Sequence, residues 1–151
     1  LIPGVKDFLV SAQKKGIKIF YVTNRRTVYE EATKNNIKKL GLPFDDDIDV
    51  LLTRGENGWG SSKASRRSHV SRDHRVIMMF GDNLNDFFDL PEKADYVTRK
   101  DNVLKYENMW GNRWFMLANP VYGHWEQSIY GFELLDEESK TKAKLENIRV
   151  N

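Results

Sequence analysis

Four short apolar runs, at 17–22, 50–52, 76–80 and 114–117, are separated by stretches with helical periodicity. This alternation constrains the fold more than any other feature of the sequence. Strands that alternate with helices pair in parallel and are covered on both faces, which explains why the runs are predominantly apolar. The expectation is an α/β domain with a mainly parallel sheet. Ahead of the first run, Pro3 is placed as a first helical residue. Val5, Phe8, Leu9 and Ala12 then share one helical face, and Gly16 supplies the stop. After the run, Thr27 and Glu30 have the spacing of a capping box, followed by an apolar side of Tyr29, Ala32, Ile37 and Leu40 and a stop at Gly41. Further helices are expected over 62–72, which is strongly basic, and over 83–90, entered directly from the third strand. The Lys- and Glu-rich tail at 136–149 suits an exposed helix or a fraying end.

Composition narrows the chemistry. The 151 residues, 40% hydrophobic, suit one domain. Lys plus Arg (24) nearly balances Asp plus Glu (22), so no global field points to nucleic acid as a partner. The chain has no cysteine, which excludes thiolate catalysis, thiolate metal sites and disulfides. No apolar run approaches the roughly 20 residues of a membrane helix. Leu1-Ile2-Pro3-Gly4 lacks the basic and apolar regions of a signal peptide, and a start at Leu1 rather than Met suggests processing or truncation.

In a parallel α/β sheet, ligands bind beyond the carboxyl ends of the strands. The first strand runs into Thr23-Asn24-Arg25, the third into Gly81-Asp82-Asn83 and the fourth into Asn119-Pro120. In Gly81-Asp82-Asn83-Leu84-Asn85-Asp86, two carboxylates four residues apart suit a hard cation such as Mg²⁺. The same residues also suit a helix cap with a solvated Asp86. Thr23 is equally compatible with a turn and with a site. Lys63, followed by Arg66 and Arg67, fits either a solvated helix face or a point charge over a phosphoryl group.

Taken in order, Tyr21-Val22-Thr23-Asn24-Arg25, Lys63 and Gly81-Asp82-Asn83-Leu84-Asn85-Asp86-Phe87 resemble motifs two, three and four of the haloacid dehalogenase phosphatases. The strand Phe20-Tyr21-Val22-Thr23-Asn24-Arg25 and the segment from Asn119 to Glu126 look most like the class C acid phosphatases and the lipoprotein e type 5'-nucleotidases. The resemblance covers roughly Leu1 to Phe132. It implies a three-layer, Rossmann-like fold and a phosphatase in which an aspartate attacks phosphorus, with a second aspartate two positions later as general acid and base.

Carried over by motif, Thr23 and Lys63 are the catalytic residues, and Asp82 and Asp86 hold Mg²⁺. Asn24, Arg25, Arg67 and Tyr122 are candidates for substrate contacts. The substrate implied is a small phosphomonoester, a nucleoside 5'-monophosphate by preference. His124 departs from the acidic residue expected in that stretch and is read as a surface residue.

The Asp-x-Asp of motif one does not occur before Thr23, and Asp45-Asp46-Asp47-Ile48-Asp49 follows motif two and precedes its strand. The resemblance therefore implies a fold truncated at the N-terminus: a phosphatase core at 1–135 without its first strand, then a charged tail at 136–151. The nucleophile is expected upstream of residue 1, left out of the sequence, removed by proteolysis or carried on a separate chain. Export to the periplasm or anchoring as an outer-membrane lipoprotein, and oligomer formation, are suggested by the family alone. Two rivals stand beside this reading. A receiver-type signalling domain uses similar residues in another order, acidic residues first, then Thr, then Lys. A non-catalytic phosphoryl-binding or interaction module would retain the fold without motif one.

Overall fold

The computed structural model describes residues 1–119 and 121–148. Pro120, expected at the exit of the fourth strand, and Arg149, expected in the tail helix, lie outside the described residues. The chain divides into two compact units, Leu1–Arg75 and the chain from Val76 onward. Among the described residues each contains one pair of parallel strands, so the expected α/β architecture with parallel pairing is present.

In the first unit, α1 spans Val5–Lys14 and begins later than Pro3. Gly4 is left-handed, φ 80°, and a residue in that conformation cannot continue a right-handed helix. Gly16, at φ 77°, stops the helix as expected and donates its N–H to the Gln13 carbonyl at 2.9 Å. β1 (Tyr21–Arg26) pairs with β2 (Leu51–Arg54) through Tyr21 opposite Leu51 and Val22 opposite Leu52. The crossover between them is α2 (Glu30–Lys39). Val50, Leu51 and Leu52 are buried together with Ala12, Ile37 and Val70; each large aliphatic side chain removed from water contributes about 1.5–3 kcal/mol. α3 spans Ala64–Asp73.

The expected capping box at Thr27 does not form. No side chain caps the turn at Thr27–Tyr29 or α2 itself. The Thr27 hydroxyl instead lies 3.1 Å from both Thr53 Oγ1 and the Arg54 carbonyl, and Thr53 Oγ1 donates to Glu30 Oε2 at 3.3 Å. Thr53 is fully buried, and a buried hydroxyl without partners costs more than an open helix end in water. The tertiary bond therefore takes both members of the predicted box.

In the second unit, β3 (Met79–Gly81) pairs with β4 (Trp114–Met116), Phe80 opposite Phe115. Between them lies α4 (Tyr96–Lys105), capped by Asp95, whose side chain accepts the Thr98 N–H at 2.8 Å. The helix expected over 83–90 is only a single 3₁₀ turn, Leu84–Asp86. Pro91 biases Leu90 away from helical backbone, and Leu84, Phe87 and Phe88 are buried against Met79, Leu90, Val103, Tyr106, Trp110 and Trp114. This aromatic core fixes the chain just after Asp86. A short α5 (His124–Gln127) and α6 (Glu137–Glu146) follow. α6 is the expected tail helix, started by Asp136, which accepts the Ser139 N–H at 2.7 Å. Among the described residues no helix is long and apolar enough to cross a membrane.

Candidate active site

The end of β1 carries the first group of candidates. From Val22 to Arg26 this strand advances four residues while β2 advances two, from Leu52 to Arg54. Such a bulge takes Thr23, Asn24 and Arg25 out of the regular ladder and re-aims their side chains. Thr23 is half-buried, and its Oγ1 accepts the Arg25 N–H at 3.2 Å. The hydroxyl thus serves the turn and retains its own proton as a donor. Asn24 Oδ1 accepts from Arg66 Nη2 at 2.7 Å. The Arg25 guanidinium is directed back to α2, with Nη1 3.5 Å from Thr33 Oγ1.

Lys63 is half-buried and occupies the N-cap position of α3, and its carbonyl accepts the Arg67 N–H at 2.9 Å. A cation at that end opposes the helix dipole, whereas an anion is favoured there. Arg67 lies in the first turn of the same helix. Beyond β2, burial pushes the Glu56 carboxyl above its ordinary range, opposed by the Thr53 N–H that donates to Oε2 at 3.1 Å.

The acidic candidates stand on the turn after β3. Asn83 begins the 3₁₀ turn, its side chain accepting the Asn85 N–H at 3.3 Å. Asp86 answers reciprocally, Oδ2 accepting the N–H of Asp82 at 3.0 Å and of Asn83 at 3.1 Å. The cap considered for this motif is therefore real, with Asp86 as its returning member. Gly81 makes the fold-back possible: a Cβ on Gly81 would lie 2.5 Å from Asp86 Cβ and 2.6 Å from Asp86 Oδ2. Asp82 is exposed, and its Oδ2 accepts from Asn119 Nδ2 at 2.8 Å. Tyr122 is exposed, and its N–H lies 3.4 Å from Asn119 Oδ1.

This turn fits a hard cation by the chemistry of its donors. Both carboxylates are hard oxygen ligands, and amide donors orient each of them. Among the described residues no three His, Asp or Glu side chains are grouped to hold a metal. A pair of carboxylates completed by water and a phosphate oxygen is the ligand set of Mg²⁺, and an all-protein cage is not.

Residues 1–125 match the family described as HAD superfamily, subfamily IIIB (acid phosphatase). This chain belongs to that family. Among solved structures it is similar to the class C acid phosphatase from Bacillus anthracis, at 29% identity and a TM-score of 0.84 over 99% of this chain. The same enzyme with tungstate bound gives 29% identity and a TM-score of 0.85. The chain spans 61% of the first of these relatives and 62% of the second. The haloacid dehalogenase superfamily assignment and the α/β fold expected from the motifs are thereby established.

Within this acid phosphatase family member, three residues near the candidates escaped the sequence reading. Arg66, which the sequence shows only as part of a basic run, is fully buried, and Val70 one turn later is buried as well, so both lie on an inward face of α3. Asn119 was noted only as a strand exit, but it bonds Asp82. His124, read as a surface residue, is half-buried, and its Nδ1 lies 3.2 Å from Asn83 Nδ2. With the amide donating, the ring nitrogen accepts, which places the imidazole proton on Nε2. Gly123, at φ 137°, leads the chain into this contact through backbone that side-chain-bearing residues rarely adopt.

Proposed function

We propose that these residues form part of a Mg²⁺-dependent phosphomonoester hydrolase that acts through an aspartyl-phosphate, with nucleoside 5'-monophosphates as the favoured substrates. The observation that carries this reading is the acidic turn after β3. There Gly81 allows Asp86 to close back on the Asp82 and Asn83 amides while Asp82 stays exposed and oriented by Asn119. A structural cap needs only Asp86. An exposed carboxylate oriented beside it is what a cation-binding pair requires.

In this reading Asp82 and Asp86 hold Mg²⁺, which when bound neutralises charge on the phosphoryl group. Thr23 donates its hydroxyl proton to a phosphoryl oxygen, and Lys63 sets an ammonium against the same group. Asn24 and Arg67 are placed as secondary contacts to the phosphate or its leaving group, and Tyr122 as an aromatic border for a base. Arg25 is the weakest of these candidates, because its guanidinium is turned toward Thr33. The attacking aspartate and its acid-base partner stand outside the residues of this sequence, on a preceding segment or a separate chain. Export, with or without a lipid anchor, belongs to the proposal through the family resemblance.

The test is phosphate release from an aryl phosphate by the complete protein, with and without a chelator, followed by a panel of nucleoside 5'-monophosphates. The proposal expects chelation to abolish turnover and added Mg²⁺ to restore it. The 151-residue chain alone should show no turnover while still binding phosphate or Mg²⁺ weakly. Turnover indifferent to chelation would remove the metal from the mechanism. A complete protein that binds phosphate without hydrolysing any ester would favour the non-catalytic module.

A further inference from the structure

We propose that Arg66 is a positioning residue that locks the start of α3, with Lys63, to the exit of β1, with Thr23 and Asn24. The inference deepens the phosphoryl-site reading above and rests on it. One guanidinium joins two segments about 40 residues apart in sequence. Nη1 donates to the Thr23 carbonyl, Nη2 donates to Asn24 Oδ1 at 2.7 Å, and the Gly60 and Ser62 carbonyls, each 3.1 Å from Nη2, share its second N–H. Arg66 is fully buried, so water cannot replace these bonds when one of them is lost. The oxygens it holds belong to the two residues at the candidate hydroxyl and to the loop that leads directly into Lys63.

The arrangement suits arginine and no other residue. Its planar fork presents donors in fixed directions, so one side chain can serve a strand exit and a helix entry together. Lysine retains the charge but concentrates its donors on a single nitrogen. Hydroxyl and ammonium must address one phosphoryl group, and misplacement by about 1 Å can lower a rate by roughly 100-fold. Arg66 itself need not touch the substrate for this effect.

The experiment compares Arg66→Lys and Arg66→Ala with Thr23→Val and Lys63→Met in the complete protein. Calorimetric affinity for tungstate is measured well below each variant's melting temperature. Arg66→Lys should weaken tungstate binding about tenfold or more with an unchanged far-UV spectrum, and methylguanidinium should restore part of the affinity of Arg66→Ala. If Arg66→Ala does not fold, Arg66→Lys decides alone. A purely structural role would lower the melting temperature and leave the affinity of the folded protein intact. Full tungstate affinity in Arg66→Lys, with loss in Thr23→Val, would overturn the positioning role and leave the phosphoryl site standing. Full affinity in both Thr23→Val and Lys63→Met would overturn the phosphoryl site and this inference with it.

Discussion

The two units hold their candidate residues by different means. In the first, Thr23 and Asn24 stand on a bulge and Lys63 on a helix start, and a buried guanidinium joins those segments through bonds remote in sequence. In the second, Asp86 is held within one turn, closed by the Asp82 and Asn83 N–H groups and permitted by one glycine, while the Asp82 carboxylate accepts a hydrogen bond from Asn119 beyond β4. Beneath that turn lies an aromatic cluster rather than the aliphatic strand of the first unit. Hydroxyl and ammonium groups come from separate elements and need a long-range strut. The Asp86 carboxylate needs only a local turn, and Asp82 adds a single side-chain partner from beyond β4. A substitution in the turn should therefore act locally, and one at the strut should loosen a whole region.

The sharpest challenge to this contrast is Phe87→Ala. Phe87 is buried one residue after Asp86, its ring centroid 5.0 Å from that of Trp110 and 5.7 Å from that of Trp114. Truncation should cost about 3–5 kcal/mol in chemical denaturation. A cost well below 1 kcal/mol would mean that the acidic turn does not depend on the aromatic cluster. Gly81→Ala should be next, at about 1–3 kcal/mol, because the new methyl group would occupy the space of Asp86 Cβ and Oδ2. Mg²⁺ affinity, read by calorimetry, should fall with stability, and an alanine accepted without either loss would show that Asp86 need not fold back.

These expectations touch the places where sequence and structure part. The strand-helix alternation, the Gly16 and Gly41 stops and the G-D-x-x-x-D turn were legible because each is a local signal: an apolar run, a residue suited to φ above zero, a short loop. Gly81 is explained by the close approach of Asp86, which leaves no room for a Cβ. α4 was invisible because its pattern is inverted. Val97 and Leu104 are exposed, while Arg99 is buried and its pKa lowered by that burial. The Thr27 capping box failed because a buried threonine across the strand pair claimed both partners, and no local pattern reveals that claim. Arg66 was missed for the same reason, since its acceptors lie on β1 and in the loop before α3.

Smaller effects refine the contrast. Asp86→Ala removes the carboxylate that takes the Asp82 and Asn83 N–H groups, and should cost about 1 kcal/mol apart from any metal effect. In the first unit, burial raises the Tyr21 pKa to about 12 from 10.0, and its hydroxyl donates to the Pro43 carbonyl at 2.6 Å. The folded state therefore holds this proton more tightly than the unfolded chain. Stability is full below pH 10 and declines as pH rises toward 12, because only the unfolded chain gains by ionising there. Tyr21→Phe should flatten that part of the stability profile. The Tyr21 titration can be followed by ultraviolet absorbance, and ionisation near pH 10 in the folded protein would contradict the burial assigned to it.

The account turns on the acidic pair after β3 serving a metal in phosphate ester hydrolysis. Asp82→Asn preserves the size and the Asn85–Asn83 cap while removing one anionic ligand. In the complete protein, steady-state release of phosphate from an aryl phosphate, measured across a Mg²⁺ titration, should fall to background and should not recover at any metal concentration. Wild-type turnover with wild-type Mg²⁺ dependence would contradict it.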